Sequence, residues 1–406
     1  MTATHAAGRK LKDAIFDANQ ACNEAIKIHG ADSVTNATIG VILDDDGKLA
    51  TIPTVEKIFR SMNFADLVSY APISGLPAYL DAAIDLTFAD CKPDAKFAAV
   101  ATAGGTGAIH HAIANYAERG DAVLTSDWCW GTYNVICTET GKRLETFQLF
   151  DADLNFNVDD FAVKVDALLK EQNSLLVILN TPAHNPTGYA LSGDEWDKVL
   201  AVLKAQAAAG KNISLLVDIA YIDFAGEKNS TRAFMRKFSG LPKNLFVMIA
   251  FSMSKSFTFY GQRTGALIGV SGDEKVIDEF KNVGKFSSRA AWSNVNRGAQ
   301  ELMIKLTADK NLMPVYEAER ENLYKMVQHR AEIFVTEAKD CGLRVVPYKG
   351  GFFIAIPAEN PAQVCEKLHD DLIFAVPLKL GIRVAACSTS AEKMHGVAEK
   401  ILRAMK

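Results

Sequence analysis

Leu245-Phe246-Val247-Met248-Ile249-Ala250-Phe251 runs directly into Ser252-Met253-Ser254-Lys255-Ser256-Phe257, with Tyr260-Gly261-Gln262-Arg263-Thr264-Gly265 close behind. Seven consecutive apolar residues, with β-branched and aromatic members and no helical period, read as a strand in the middle of a parallel sheet. A lysine just past such a strand stands at the carboxyl edge of the sheet, where open α/β folds bind ligands. Small hydroxyl residues beside it and a nearby arginine place an amine nucleophile next to groups able to hold phosphate. Alone, Lys255 reads more readily as a solvated surface lysine, so the rest of the chain has to decide.

Outward from this stretch the same pattern recurs. Short apolar runs stand at 97–102, 122–125, 144–149, 175–180, 214–218, 245–251 and 265–270, with helical or loop stretches between them. That alternation predicts crossover connections and a mostly parallel sheet covered on both faces. Towards the N-terminus, a helix is expected over 9–29, an extended segment over 36–42, and a helix over 54–62. A loop punctuated by Pro72 and Gly75 then leads to a helix over 77–88. Beyond about Thr307 a long charged helix over 313–339 precedes apolar segments at 343–346 and 352–356, as in a smaller α/β lobe. The expected organisation is a segment 1–50 packing with a small domain over 307–406, and a large domain over 51–306. A length of 406 residues suits two such units.

Composition narrows the function. Hydrophobic residues make up 49% and charged residues 23%, an ordinary balance for a soluble enzyme. Forty-four basic against forty-eight acidic residues give a net charge of −4, which offers nothing to nucleic acid or an anionic membrane. Seven cysteines without a CxxC pair point to reduced thiols in the cytoplasm and to no metal cage. The N-terminus lacks the basic and apolar regions of a secretory signal, and no apolar run approaches bilayer length.

Four further stretches follow predicted strands. Gly104-Gly105-Thr106-Gly107-Ala108 precedes a helix expected over 108–119, and glycines there let backbone N–H groups approach an anion. Ser126 to Tyr133 holds Trp128 and Trp130, either of which could stack on a planar ring. His184-Asn185-Pro186-Thr187-Gly188 is turn chemistry that presents the Asn185 amide, with His184 the better candidate for packing. Asp218 closes the strand Leu215-Leu216-Val217 ahead of Tyr221. A buried carboxylate is costly without a cation, and a protonated pyridine nitrogen is one. Asn185, Asp218, Ser252 and Lys255 would converge in one cleft, the set a pyridoxal-phosphate enzyme needs.

These motifs, in this order, resemble those of class I aminotransferases of the aspartate/aromatic type. S-x-S-K with Y-x-x-R-x-G stands at Ser252, Ser254, Lys255, Tyr260, Arg263 and Gly265; HNPTG at 184–188, D-x-A-Y at 218–221 and GGTGA at 104–108. The resemblance spans roughly 36–388. It implies a fold-type I pyridoxal-phosphate transferase with a seven-stranded sheet, acting as a homodimer with shared sites. It further implies Lys255 as the Schiff-base lysine that also moves the α-proton, and Asp218 against the pyridine nitrogen. Asn185 and Tyr221 would donate to the ring oxygen. Gly104, Gly105, Thr106, Ser252, Ser254 and Arg263 would hold the phosphate, joined by Tyr70 of a neighbouring subunit. Trp130 would stack on the ring, with Trp128 open as the alternative. Gly40 would line the substrate pocket, Arg383 would grip the α-carboxylate, and Arg289 would enter from the partner for a side-chain carboxylate.

Two places depart from the family. Thr132 or a neighbour stands where a histidine usually backs the ring-nitrogen carboxylate, and Asn180 replaces another supporting histidine. The expected reaction is amino-group exchange between an L-amino acid (aspartate, glutamate or aromatic) and a 2-oxo acid such as 2-oxoglutarate. A pyridoxal-phosphate β-lyase or decarboxylase is the competing chemistry. The S-x-x-K pattern of serine acyltransferring enzymes lacks its S-D-N and K-T-G partners here, and a cofactor-binding regulator lacks a DNA-reading module.

Overall fold

Seven strands form the central sheet of the computed structural model, which describes residues 1–406. They are β1 Lys96–Thr102, β2 Ala122–Ser126, β3 Arg143–Phe147, β4 Ser174–Asn180, β5 Asn212–Asp218, β6 Leu245–Ser252 and β7 Gly265–Ser271. Their order across the sheet is β1-β7-β6-β5-β4-β2-β3. All neighbours pair in parallel except β7, which runs antiparallel to both β1 and β6. The reason is local. Met253–Thr264 contains only short helical turns and no crossover helix, so the chain folds straight back beside β6.

Burial explains the composition of the strands. All eight residues of β6 and all seven of β7 are buried, as a sheet covered on both faces requires. One large apolar cluster includes Leu175, Val177, Leu215, Val217, Val247 and Ile249 on one face. A second includes Ile178, Leu216, Met248 and Leu267 on the other, under the helix Gly104–Tyr116.

A further cluster lies around the antiparallel sheet formed by Phe353–Pro357, Val376–Leu378 and Gly381–Ala385. It gathers Ile354, Ile356, Ile382 and Val384 from that sheet with Phe334 and Ala338 from the 30-residue helix Leu312–Cys341. Ala37 joins it, and Thr35–Asn36 pairs in parallel with Ile373–Phe374, so the N-terminal segment is built into the C-terminal region.

Several sequence expectations shift. The first helix begins at Ala14, not at residue 9, because the Asp13 carboxylate accepts from the N–H groups of Ile15 and Phe16 and caps it there. The glycine-rich stretch does not precede its helix but forms its first turn, Gly104 onward. Of the extended segment expected over 36–42 only Asn36 lies in a strand, the two-residue Thr35–Asn36. Residues 343–346 form no strand; a single backbone bond joins the Val346 N–H to the Ala355 carbonyl at 3.1 Å.

Candidate active site

The carboxyl ends of β1, β2, β4, β5 and β6 meet at one edge of the sheet, and the antiparallel β7 begins at that same edge. A cleft of about 510 Å³ opens there, lined by Gly105, Thr106, Trp130, Asn180, Asn185, Asp218, Tyr221, Ser252, Ser254, Lys255 and Arg263 among others.

One end of the cleft is made for an anion. Ser252 caps the short helix Met253–Ser256 by accepting from the Ser254 N–H at 3.2 Å. Arg263 donates to the Ser254 hydroxyl at 3.2 Å, to the Tyr260 carbonyl at 2.9 Å and to the Thr106 hydroxyl at 3.5 Å. Gly104, at φ 69, lies so close to this guanidinium that a Cβ would come within 2.6 Å of Arg263 Nη2. Gly265 has the same character: a Cβ would meet the Phe251 carbonyl at 2.5 Å and the Gly104 backbone at 2.8 Å. Backbone N–H groups at the start of a helix, three hydroxyls and one guanidinium line the same space, a donor set that fits a phosphate.

The middle of the cleft holds a carboxylate and an amine. Asp218 is buried, and its two oxygens accept from uncharged donors, the Tyr133 hydroxyl at 2.7 Å and the Ala220 N–H at 3.1 Å. Desolvation raises its pKa against the hydrogen bonds and the charge of Lys255. The Lys255 amine lies over the Tyr221 ring, 5.2 Å from its centroid. Burial lowers its pKa to about 8; Asp218 opposes that shift and Arg263 reinforces it. A lysine in that range is partly a neutral amine near neutral pH, as a nucleophile or base must be.

At the other end, Arg383 is 2% exposed and has no carboxylate partner. Its guanidinium donates to the Thr38 carbonyl at 2.6 Å and to Asn185 Oδ1 at 3.3 Å, and lies over the Phe353 ring at 4.1 Å. Its Nε is buried without a partner. Desolvation brings its pKa down to about 10. Such a group accepts a carboxylate with little further desolvation. The Asn185 amide donates to the Tyr221 hydroxyl at 3.4 Å, and Asn180 braces both sides: its amide donates to the Asp218 carbonyl at 2.8 Å and its oxygen accepts from the Asn185 N–H at 2.7 Å.

The pattern of the family "Aminotransferase class I and II" matches residues 32–401. The chain belongs to this aminotransferase family. A solved aminotransferase from Anaerococcus prevotii superposes with a TM-score of 0.98 at 40% identity, covering 100% of this chain and 99% of that one. The aspartate aminotransferase of Escherichia coli is 26% identical over 313 residues, 76% of this chain and 77% of its own. The aromatic-amino-acid aminotransferase of Burkholderia pseudomallei, solved covalently bound to pyridoxal phosphate, shares the fold with a TM-score of 0.81 at 21% identity, covering 100% of both chains.

Within this aminotransferase the sequence-predicted residues fall into two groups. Lys255, Asp218, Asn185, Tyr221, Ser252, Ser254, Gly105, Thr106, Trp130 and Arg263 share the cleft. Of the two tryptophans, Trp130 lines it, whereas Trp128 is buried in the main core beside Gly381. His184 packs, as expected, with its ring bonded to Thr187 at 2.8 Å and its pKa lowered to about 3 by burial. Gly40 abuts Phe353, the ring under Arg383, where a Cβ would come within 2.8 Å.

Tyr70 and Arg289 stand outside the cleft. Tyr70 is 85% exposed, and Arg289 is exposed near the end of the helix Glu274–Ala291, donating to the Ser293 hydroxyl at 2.6 Å. Of Thr132 and its neighbours, Tyr133 is the residue behind Asp218. A signal for it existed: Tyr133, Ile136 and Cys137 follow the i, i+3, i+4 spacing of an inward helix face, and all three are buried.

Proposed function

We propose that this aminotransferase uses pyridoxal phosphate to move an amino group between an L-amino acid, of the aspartate, glutamate or aromatic type, and a 2-oxo acid such as 2-oxoglutarate. One observation carries the reading. One cleft holds the buried Asp218 carboxylate, which has no ion-paired guanidinium or ammonium, and the Lys255 amine with its pKa lowered to about 8. Against Asn185 of its wall lies Arg383, a buried guanidinium without a carboxylate. Charges left unfinished by the protein are the ones a charged ligand completes.

Pyridoxal phosphate, when bound, supplies an aldehyde carbon for amine exchange and an electron-poor ring that stabilises negative charge at the substrate α-carbon. Gly105, Thr106, Ser252, Ser254 and Arg263 would hold its phosphate, with Gly104 leaving room for the guanidinium. Asp218 would pair with its ring nitrogen, Asn185 and Tyr221 would donate to its ring oxygen, and Trp130 would stack on the ring. Arg383 binds the substrate α-carboxylate and so orients the α-carbon, with Gly40 keeping the adjoining wall low. Lys255 Nζ, as a neutral amine, takes the proton from that carbon and returns it.

Two copies of the chain complete each other's sites. Tyr70 reaches the partner's phosphate, and Arg289 binds a side-chain carboxylate across the interface; both are exposed on one chain, as groups meant for another must be. The unit formed by 51–306 carries the cofactor, and 307–406 with 1–50 forms the smaller one. No helix is long and apolar enough to cross a membrane, and we place the enzyme in the cytoplasm.

The test is a half-reaction. Purified protein loaded with pyridoxal phosphate and given glutamate alone should accumulate pyridoxamine phosphate and 2-oxoglutarate, and Lys255→Ala should abolish steady-state exchange. Return to the starting spectrum with release of CO2 and an amine from glutamate would mark a decarboxylase instead, and release of pyruvate, ammonia and sulfide from cysteine, whose thiol can leave, would mark a β-lyase. Wild-type turnover in Lys255→Ala would end the assignment.

A further inference from the structure

The mechanism above gives no task to Tyr133, yet it makes the shortest side-chain contact to Asp218. Its ring is fully buried in the first turn of the helix Thr132–Glu139, and its hydroxyl donates to Asp218 Oδ2 at 2.7 Å. It packs edge-on against Trp130, with ring centroids 5.6 Å apart and planes at 85°. Thus one residue touches both the carboxylate and the aromatic that cover the two sides of the proposed ring site.

We infer that Tyr133 is a positioning residue: its hydroxyl locks the Asp218 carboxylate with one oxygen turned back into the protein and holds it ionised, ready to pair with a ring nitrogen. The inference rests on the reading of the cleft as a pyridoxal-phosphate site. The physical case is one of elimination among donors. The Ala220 N–H takes Oδ1, and the Tyr133 hydroxyl is the other hydrogen bond to the carboxylate from the protein. A buried phenol, whose pKa stands well above its ordinary value through desolvation and the nearby Asp218, keeps its proton, and towards an ionised carboxylate it can only donate. A hydrogen bond to the charged form of a carboxylate favours that form. Unlike an imidazole, which can donate or accept by tautomer and can charge, a phenol gives one neutral donor at every working pH.

The groups facing this pair do not confuse the acid range. Cys129, on the loop before the helix, has its pKa raised to about 11 by burial, and Tyr221 is raised likewise, so both stay neutral. Lys255, lowered to about 8, is charged below neutrality in the cofactor-free protein. A change in behaviour above the ordinary carboxylate range and below that of Lys255 therefore reports Asp218. Ionisations of pyridoxal phosphate itself are common to all variants and cancel in comparison.

The experiment measures the dissociation constant of pyridoxal phosphate from the whole protein between pH 5 and 8, with absorbance as readout. Wild type is the control for the site: no binding at all defeats the cofactor reading itself, and the inference with it. Given wild-type binding, Tyr133→Phe should weaken affinity roughly tenfold at neutral pH, the scale of one hydrogen bond to a charged group. It should also move the acid fall-off of affinity upward in pH, because loss of the donor raises the proton affinity of Asp218. In an Asp218→Asn background the same substitution should change affinity less than about twofold.

Tyr133→His, which restores a donor and can carry charge, should leave the fall-off at or below the wild-type pH, and this variant serves where Tyr133→Phe does not fold. Unchanged affinity and fall-off in Tyr133→Phe overturns the inference. So does an equal loss in the Asn background, which would make the ring a packing group only. An upward-shifted fall-off in Tyr133→His overturns it as well.

Discussion

Asp218 closes β5, and Asp223 follows almost at once in the short turn Ile222–Phe224; both are buried, and the protein treats them in opposite ways. Asp223 receives Arg232 at 2.7 Å and Arg320 at 3.3 Å, which together hold its carboxyl far below the usual carboxylate range despite its burial. Asp218 receives only a phenol and a backbone amide, and desolvation leaves its pKa raised. The arginines mirror this. Arg232 has its carboxylate, whereas Arg383, equally buried, has carbonyl and amide oxygens alone. Where charge serves the architecture the chain supplies both partners, and where it serves chemistry one partner is left to come from solution.

Asp223 sits where that architecture bears on the site. The turn it occupies follows Tyr221, and Arg320 belongs to the long helix Leu312–Cys341. From the same helix, the Tyr316 hydroxyl donates to the Ser256 carbonyl at 3.0 Å, immediately beside Lys255. The completed ion cluster thus ties the turn after β5, the lysine turn and the long helix into one unit behind the cleft.

The sharpest way to break the contrast is to neutralise each aspartate. Asp218→Asn should lower kcat/KM roughly a hundred- to a thousandfold, the cost of an unpaired partner in a buried charge pair. Unfolding of its cofactor-free form should show stability equal to or above that of wild type. Asp223→Ala should do the reverse to the fold, costing about 3–5 kcal/mol in denaturant titration, because the buried Arg232 and the partly buried Arg320 lose their counter-charge. Equal stability losses in both variants would erase the distinction.

A smaller effect sharpens the account at the proposed subunit interface. Arg289→Ala should reduce kcat/KM for aspartate and glutamate by roughly tenfold or more relative to phenylalanine, as loss of a charge-assisted pair predicts. A uniform loss across amino acids would remove the distal-carboxylate role.

The smallest expected effect is in pH. The folded Lys255 pKa of about 8 lies below the value of about 10.4 for an unperturbed lysine, so between them the unfolded chain binds more protons. Stability of the cofactor-free protein should therefore rise with pH across that window, and Lys255→Met should flatten the rise. Asp218 acts with opposite sign on the acid side. Its raised folded pKa makes stability fall as pH climbs from the unfolded value of about 3.9 through the folded one, and Asp218→Asn should remove that slope.

Much of this arrangement is legible in the sequence for physical reasons. Strands buried on both faces must be apolar along their whole length, so β4, β5 and β6 announce themselves, and a polar residue ending such a run stands at the sheet edge. That is why Asp218 and Ser252 could be placed together from the sequence, with Asn185 and Lys255 just beyond their strand ends. What stays hidden is set by contacts distant in sequence. The partners of Asp223 come from 232 and 320, and nothing local pairs them. Tyr133 reaches Asp218 only because its helix turns one face inward. The glycines at 104 and 105 disguise a helix start, since glycine is a poor helix former, and the apolar run 343–346 finds no neighbouring strand and stays irregular.

The central claim is that Lys255 is the amine joined to pyridoxal phosphate in the cleft where Asp218 and Arg383 await their partners. Borohydride reduction of the yellow holoprotein, followed by peptide mass spectrometry, tests it directly. The account predicts a phosphopyridoxyl group on the peptide bearing Lys255 and its absence after Lys255→Ala. An unmodified Lys255, or the group fixed to another lysine, would contradict it.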